Sequence, residues 1–109
     1  MPKYLWQGSY TSQGVQGLRK DGGAGRRAAV QRLVESAGGK LESFYFAFGE
    51  ADVYVVADLP DTATAAAMSL AVNALGLVHL RTIPLVTAEE MDVAVKKAVD
   101  YQPPGSAGR

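Results

Sequence analysis

The chain has 109 residues, 48% of them hydrophobic, which is enough apolar material for the core of one domain. Its 11 lysines and arginines balance 11 aspartates and glutamates, so we expect neither nucleic acid nor a membrane as a partner. The lack of cysteine excludes disulfides, thiolate nucleophiles and cysteine-ligated metals, and it suits a reducing compartment. We therefore expect a cytoplasmic protein, and neither a signal peptide nor a bilayer-spanning segment is visible in the sequence.

The first part of the chain predicts a strand followed by two helices. Aromatic and apolar side chains over residues 3–10 are typical of a strand. Thr11 and Ser12 can cap a short helix that should stop at Asp21-Gly22-Gly23, and a longer helix should begin at about Gly25. The longer helix should end at the Gly38-Gly39 pair. Its apolar stripe consists of Val30, Leu33, Val34 and Ala37.

The segment 40–60 predicts two strands that fold back on each other at Gly49-Glu50-Ala51. Residues 44–48 and 53–57 hardly alternate between apolar and polar side chains. A sheet with one face in water would show this alternation, so we expect both faces to be covered. Helices can cover one face in a chain of this length, and we expect a second copy to cover the other.

The rest of the chain predicts a helix, a strand and a terminal helix. Asp61 is a plausible N-cap for the first helix, whose alanine-rich stripe should approach the sheet closely. Pro84 places the strand 77–86 at a sheet edge, because proline cannot donate a hydrogen bond. Thr87 and Glu90 form a capping box for the terminal helix. The two apolar stripes are Ala63, Ala66, Ala67, Leu70, Ala71 and Ala74 in one helix, and Met91, Ala94, Val95 and Ala98 in the other.

The predicted order is strand, helix, strand, strand, helix, strand, with an extra C-terminal helix. This is the split βαβ pattern of the ferredoxin-like fold, an α+β fold with a four-stranded antiparallel sheet. We expect a single domain over residues 1–101 and a flexible tail over residues 102–109. Because both sheet faces should be covered, we also expect a homodimer or a higher homo-oligomer.

Four segments of the sequence carry a family resemblance. They are residues 1–5 with Ser9-Tyr10-Thr11, Gly22-Gly23 followed by Arg26-Arg27, residues 38–49, and residues 101–105. Together they resemble the GYD domain family, whose Gly-Tyr-Asp-like turn appears here as Gly49-Glu50-Ala51-Asp52, without the aromatic residue. The resemblance implies a dimeric α+β barrel, in which two sheets pack face to face. Relatives at that distance include haem-degrading and cofactor-free monooxygenases, small isomerases and stress-induced proteins, so the resemblance by itself assigns no chemistry.

Two residues are candidates for proton transfer. His79, the only histidine, shares a predicted strand face with Arg81 and could act as a general base or bind a haem iron. Asp52 follows the hairpin turn and could accept a proton if it is buried. Each also has a structural interpretation, as an exposed edge-strand residue for His79 and as an acceptor of turn amides for Asp52. We expect no metal site, because no second set of ligands accompanies His79.

Six further residues are candidates for ligand binding. Arg26 and Arg27 stand in the first turn of a predicted helix, where guanidinium groups and free amides can bind a phosphate or carboxylate. Solvated arginines after a flexible break are the structural alternative. The aromatic residues in predicted strands either fill the core or line a flat apolar cleft. These aromatic candidates are Trp6, Tyr10, Tyr45 and Tyr54.

These patterns predict a homo-oligomer that binds a small, partly apolar or aromatic molecule between sheet and helices, without a cofactor. The alternative is a cofactor-independent oxygenase or isomerase in which His79 or Asp52 accepts the proton. A haem oxygenase is not expected, because His79 lies on an edge strand, whereas the haem-degrading relatives are expected to present their axial histidine from a helix.

Overall fold

A computed structural model describes residues 1–105 and shows an α+β fold. The strands are β1 (Lys3–Tyr10), β2 (Lys40–Phe46), β3 (Val53–Asp58) and β4 (Val78–Leu85), and the helices are α1 (Ser12–Ser36), α2 (Thr62–Ala74) and α3 (Ala88–Ala94). The strands form one antiparallel sheet in the order β2-β3-β1-β4. The predicted ferredoxin-like order with an extra terminal helix is confirmed. The last four residues of the predicted tail lie outside the described residues.

Helix α1 is kinked at Gly22, whose φ of 76° and ψ of 167° are not helical. A positive φ of this kind favours glycine, since other residues meet a steric penalty there. The predicted break is therefore confirmed, although the helix resumes at once rather than at Gly25. Thr11 caps the first turn by accepting a hydrogen bond from the Gly14 amide at 3.1 Å, and Gly38, with φ of 84°, follows the last turn.

The strand pair forms as predicted but ends earlier. Strand β2 stops at Phe46, and Phe48 lies in the connecting segment, where it is fully exposed. The Ala47 amide donates to the Asp52 carbonyl at 2.8 Å and closes the turn. The register between β2 and β3 shifts at Leu41 and Ser43. The two ends of β2 therefore pair differently with β3.

The two faces of the sheet differ in how far they are covered. Burial alternates along β1 and β3, and the buried positions point toward α1 and α2. On the opposite side, which we call the outer face, Leu5 lies between Val56 and Ile83 in the register, and all three are only half-buried. The core on the helix side consists of Tyr4, Trp6, Val34, Val53, Val55, Ala57, Leu59, Ala65 and Met68.

The predicted inward stripe of α2 is wrong. Ala65 and Met68 are the buried residues of this helix, whereas Leu70 is 72% exposed and the predicted alanines point away from the sheet. Helix α2 contains no charged residue, so no polar face marks its solvent side. Without that contrast, periodicity does not determine which apolar side faces the sheet.

The C-terminal elements follow the prediction in position but not in packing. Strand β4 is an edge strand, as Pro84 predicted. The capping box is present, because Thr87 Oγ1 accepts from the Glu90 amide and Glu90 Oε1 accepts from the Thr87 amide, both at 3.0 Å. Every residue from 86 to 105 is nevertheless exposed, so the apolar stripe of α3 covers nothing in its own chain. Within the described residues, no helix combines the length and the apolar character needed to cross a bilayer.

Candidate functional site

An apolar cavity of about 90 Å³ lies between the helix side of the sheet and the two long helices. Arg26 is the one charged side chain in the lining that the described residues provide. The remaining lining consists of Trp6, Tyr10, Val30, Leu33, Phe44, Val53, Val55, Met68, Val72, Val78 and Leu80. Such a wall suits a largely apolar molecule that carries one anionic or strongly polar group.

Two larger cavities adjoin the first one at Tyr10. One, of about 230 Å³, shares Arg26 and Val72 with it and extends along α1 past Gly17. The other, of about 470 Å³, reaches Phe46 and Phe48 at the end of β2. We call these three neighbouring spaces, which all have Tyr10 in their walls, the Tyr10 cleft. It runs along the sheet beneath α1 and is most open beside the two phenylalanines.

Arg26 has a weak partner in its own helix. Its Nη1 lies 3.6 Å from Asp21 Oδ2, and the kink at Gly22 separates the two residues along the chain. A partly exposed ion pair at this distance contributes only about 0–1 kcal/mol. If a ligand carboxylate replaced Asp21 as the ion-pair partner of Arg26, the loss of free energy would therefore be small. Arg27, the neighbouring candidate, is exposed and does not line the Tyr10 cleft.

Trp6 forms part of the cavity wall and is only 3% exposed. Its Nε1 atom has no hydrogen-bond partner within the described residues, and the same holds for Oγ1 of Thr82, which pairs with Trp6 across β1 and β4. A buried donor without a partner costs about 1–3 kcal/mol. The core next to the cavity therefore contains an N–H donor, that of Trp6, for which the described residues supply no acceptor.

Asp52 occupies the wide end of the Tyr10 cleft, where it also holds the sheet together. Its Oδ2 accepts from the Tyr10 amide at 2.8 Å, and its own amide donates to the Gly8 carbonyl at 2.8 Å. These two bonds fasten the turn before β3 to the end of β1. Asp52 therefore accepts from an amide at the end of β1 rather than from a turn amide, and it also borders the cleft.

His79 lies on the outer face, away from the Tyr10 cleft. With Tyr54 and Arg81 it borders a separate cavity of about 160 Å³, whose other lining residues are Gln7, Ser9, Glu50 and Ala51. Tyr45 is opposite Tyr54 in the register and is 71% exposed. The predicted site residues therefore separate into two groups. Trp6, Tyr10, Arg26 and Asp52 meet in the cleft, whereas His79, Tyr45 and Tyr54 share the outer face.

Sequence reasoning missed the phenylalanines and the acidic partner in this cleft. Phe46 and Phe48 fall in a predicted strand, and Asp21 is predicted only as part of a helix stop. The spacing of five residues between Asp21 and Arg26 matches no regular helical pair. Only the kink at Gly22 brings their charged groups together, so the sequence alone carried no signal for the pair.

The outer face carries the main ionic cluster of the described residues. Lys3 Nζ donates to Glu42 Oε1 at 2.6 Å and to Asp58 Oδ1 at 2.9 Å. The bond to Glu42, followed by that to Asp58, raises the pKa of Lys3 above its ordinary value. The described residues contain no group of three or more acidic or histidine side chains that could hold a metal. The cluster connects β1, β2 and β3 and takes no part in the Tyr10 cleft.

A family model described as GYD domain matches residues 4–95. The chain belongs to the GYD domain family. The matched range includes all the residues named above as lining the Tyr10 cleft, and it ends just after α3. Comparisons with curated proteins and with solved structures gave no match. Membership in the GYD domain family identifies a small α+β domain, and its chemistry has to be argued from the cleft.

Proposed function

We propose that this GYD domain protein is a homodimer in which each chain binds a small, partly apolar or aromatic molecule in the Tyr10 cleft. The observation that carries the proposal is an apolar wall with a single cation, Arg26. Apolar burial of the ligand would supply roughly 25 cal/mol per Å². The guanidinium would select molecules with a carboxylate or phenolate at one end.

The space beside Trp6 is too small to hold a whole aromatic ring by itself. The cavity beside Trp6 measures about 90 Å³, which is less than the roughly 150 Å³ of an engineered cavity that accepts benzene. The adjoining spaces at Tyr10 add about 230 and 470 Å³. A ligand with one or two rings therefore has to extend from the space beside Trp6 into these adjoining spaces.

The dimer is proposed from the outer face of the sheet. Leu5, Val56 and Ile83 form an apolar row across three strands and remain half-buried in the single chain. Half-buried apolar side chains in one row are covered efficiently by the same row of a second copy, as a two-fold interface requires. Face-to-face packing of the two sheets would also enclose Tyr54 and His79.

A cofactor-independent oxygenase or isomerase is the second candidate, because Asp52 borders the cleft. The Asp52 carboxylate already accepts a hydrogen bond from the Tyr10 amide, which fastens the turn before β3 to the end of β1, so it has a structural task. His79, the other candidate acceptor, lies on the opposite side of the sheet. The geometry therefore favours binding over proton transfer.

Trp6 offers a direct test, since it is the only tryptophan of the chain and lines the cavity. Titration with 1-naphthoate should change its fluorescence, whereas the neutral 1-naphthalenemethanol should bind more weakly. Loss of a charge-assisted bond in Arg26→Gln should weaken naphthoate binding by about tenfold, equivalent to about 1.4 kcal/mol.

Arg27→Gln is the matched control, because it removes the neighbouring charge outside the cleft. It should bind naphthoate as the unmodified protein does. Equal losses in the two variants would refute the assigned role of Arg26. The absence of any response from a panel of one-ring and two-ring acids, phenols and neutral aromatics would refute the proposed binding function itself.

A further inference from the structure

Residues 87–101, which we call the C-terminal arm, carry apolar side chains that nothing in the same chain covers. Met91 and Val95 lie one turn apart, in α3 and at its C-cap, and are 51% and 73% exposed, and Val99 beyond the helix is 83% exposed. The stretch begins with a complete capping box at Thr87 and Glu90. An isolated helix as short as α3 is marginal in water. Its stability therefore calls for a surface that covers the apolar stripe.

A matching apolar surface lies at the wide end of the Tyr10 cleft. Phe48 is fully exposed, and Phe46 beside it is 36% exposed. Both line the cavity of about 470 Å³ that reaches Tyr10 and Asp52. This mouth is the least enclosed part of the cleft, so a ligand there would stay in contact with water.

The sheet order determines which chain can supply the cover. The two phenylalanines lie at the end of β2, and the arm leaves from β4, so they belong to opposite edges of one sheet. A two-fold axis parallel to the strands, between two outer faces, places the β4 edge of one copy beside the β2 edge of the other. The arm of one copy then runs along the edge that leads to its partner's phenylalanines.

The lengths are compatible with this crossing. The helical part of the arm spans roughly 10 Å at 1.5 Å per residue, and the residues after it add about 20 Å if extended. Strand β2 is roughly 23 Å long at about 3.3 Å per residue. The arm can therefore follow the whole β2 edge of a partner.

The area of the interface also favours an exchanged arm. Four strands about 4.8 Å apart and about 25 Å long present an outer face of roughly 500 Å². A stable interface usually buries about 800 Å² per partner. Sheet packing alone falls short of that area, and two exchanged arms would supply the remainder.

We propose that the C-terminal arm of each chain crosses to a second copy, packs on Phe46 and Phe48, and closes the Tyr10 cleft of that copy. The occupant of the phenylalanine surface is thus the same protein, and each binding site is complete only in the dimer. This inference rests on the proposed homodimer and adds the element that closes its site.

A disulfide experiment tests the crossing in the full chain, which has no native cysteine. One preparation carries Val99→Cys, in the part of the arm that reaches the end of β2, and the other carries Gly49→Cys, next to Phe48, where the structure leaves open space. Mild oxidation of the mixture should join the two chains in a disulfide identified by mass spectrometry. Arg32→Cys, exposed on α1, replaces Gly49→Cys as the control and should give little product. Equal yields from both pairs, or no product from either, would overturn the proposal.

A second pair of full-length variants separates the arm from the dimer. Val95→Glu should weaken dimerisation and 1-naphthoate binding by about tenfold or more, because it puts a charge into an apolar contact. Val93→Glu, on the other side of α3 and also exposed, should change both by less than about twofold. If the original chain is dimeric but Val95→Glu changes nothing, the arm proposal fails alone. If the original chain is a monomer, the proposed dimer fails with it.

Discussion

Single residues in α1 determine how closely this helix approaches the sheet. A Cβ atom added to Gly14 would lie 2.0 Å from the Leu77 carbonyl oxygen, which is backbone and cannot move aside easily. The same group also accepts the Thr11 amide at 3.0 Å. The start of α1 and the start of β4 are therefore held together at a position that only glycine fits.

We predict that Gly14→Ala lowers the free energy of unfolding by about 1–3 kcal/mol, because the added methyl group overpacks the contact. Gly17→Ala is the matched change in the same helix, where a Cβ atom meets nothing within 4 Å. It should raise stability by about 0.5–1 kcal/mol, as expected for alanine in a helix. Urea unfolding followed by circular dichroism measures both. Equal effects of the two substitutions would contradict the close approach at Gly14.

Two neighbouring residues also show what could not be predicted from the sequence. Arg26 and Arg27 are adjacent and equally basic, so composition and spacing gave both the same anion-binding role. The structure turns Arg26 toward the cleft and leaves Arg27 exposed. The choice depends on the phase of α1 after the kink at Gly22, which no local pattern specifies.

At the scale of elements, the helix caps could be predicted from the sequence, because each capping side chain lies next to its own helix along the chain. Asp61 Oδ1 accepts from the Thr64 amide at 2.7 Å, and this bond lowers the pKa of Asp61 below its ordinary value of 3.8. The Thr87 amide lowers the pKa of Glu90 in the same way. The inward face of α2 could not be predicted, because a helix without charged residues has no polar side that identifies its solvent-facing surface.

The lowered pKa of Asp61 predicts how the stability of the fold depends on pH. The contribution of Asp61 to the free energy of unfolding is fully present above the unfolded pKa of 3.8 and is lost as the pH falls through the lower folded pKa. Asp61→Asn keeps an N-cap that does not titrate. The variant should therefore lose less stability than the original chain as the pH falls from about 4 to about 2. Thermal unfolding across this range measures the difference, and parallel curves would argue against a charged cap.

At the scale of the whole molecule, the strand and helix order could be predicted because glycine stops, caps and Pro84 mark nearly every boundary. The cleft could be predicted only in part, since it forms where distant residues such as Trp6 and Arg26 meet. The open outer face was expected from the poor alternation of β3. In the proposed dimer a second chain covers it, and no pattern within one chain specifies that contact.

The proposed dimerisation through the outer face makes Tyr54→Lys the most informative single substitution. Tyr54 is half-buried on that face, outside the core that α1 and α2 cover. A lysine there should dissociate the dimer and leave the circular dichroism spectrum of the folded chain unchanged. Sedimentation velocity at micromolar concentration measures the change. An unaltered dimer would place the interface elsewhere, and an unfolded chain would make Tyr54 a core residue.

The most direct test of the binding account is native mass spectrometry of the full chain with added 1-naphthoate. The account predicts a species at twice the mass of the single chain, carrying up to two naphthoate molecules, and a marked loss of bound naphthoate in Arg26→Gln but not in Arg27→Gln. A monomer, or a dimer that retains no naphthoate at saturating concentration, would contradict it.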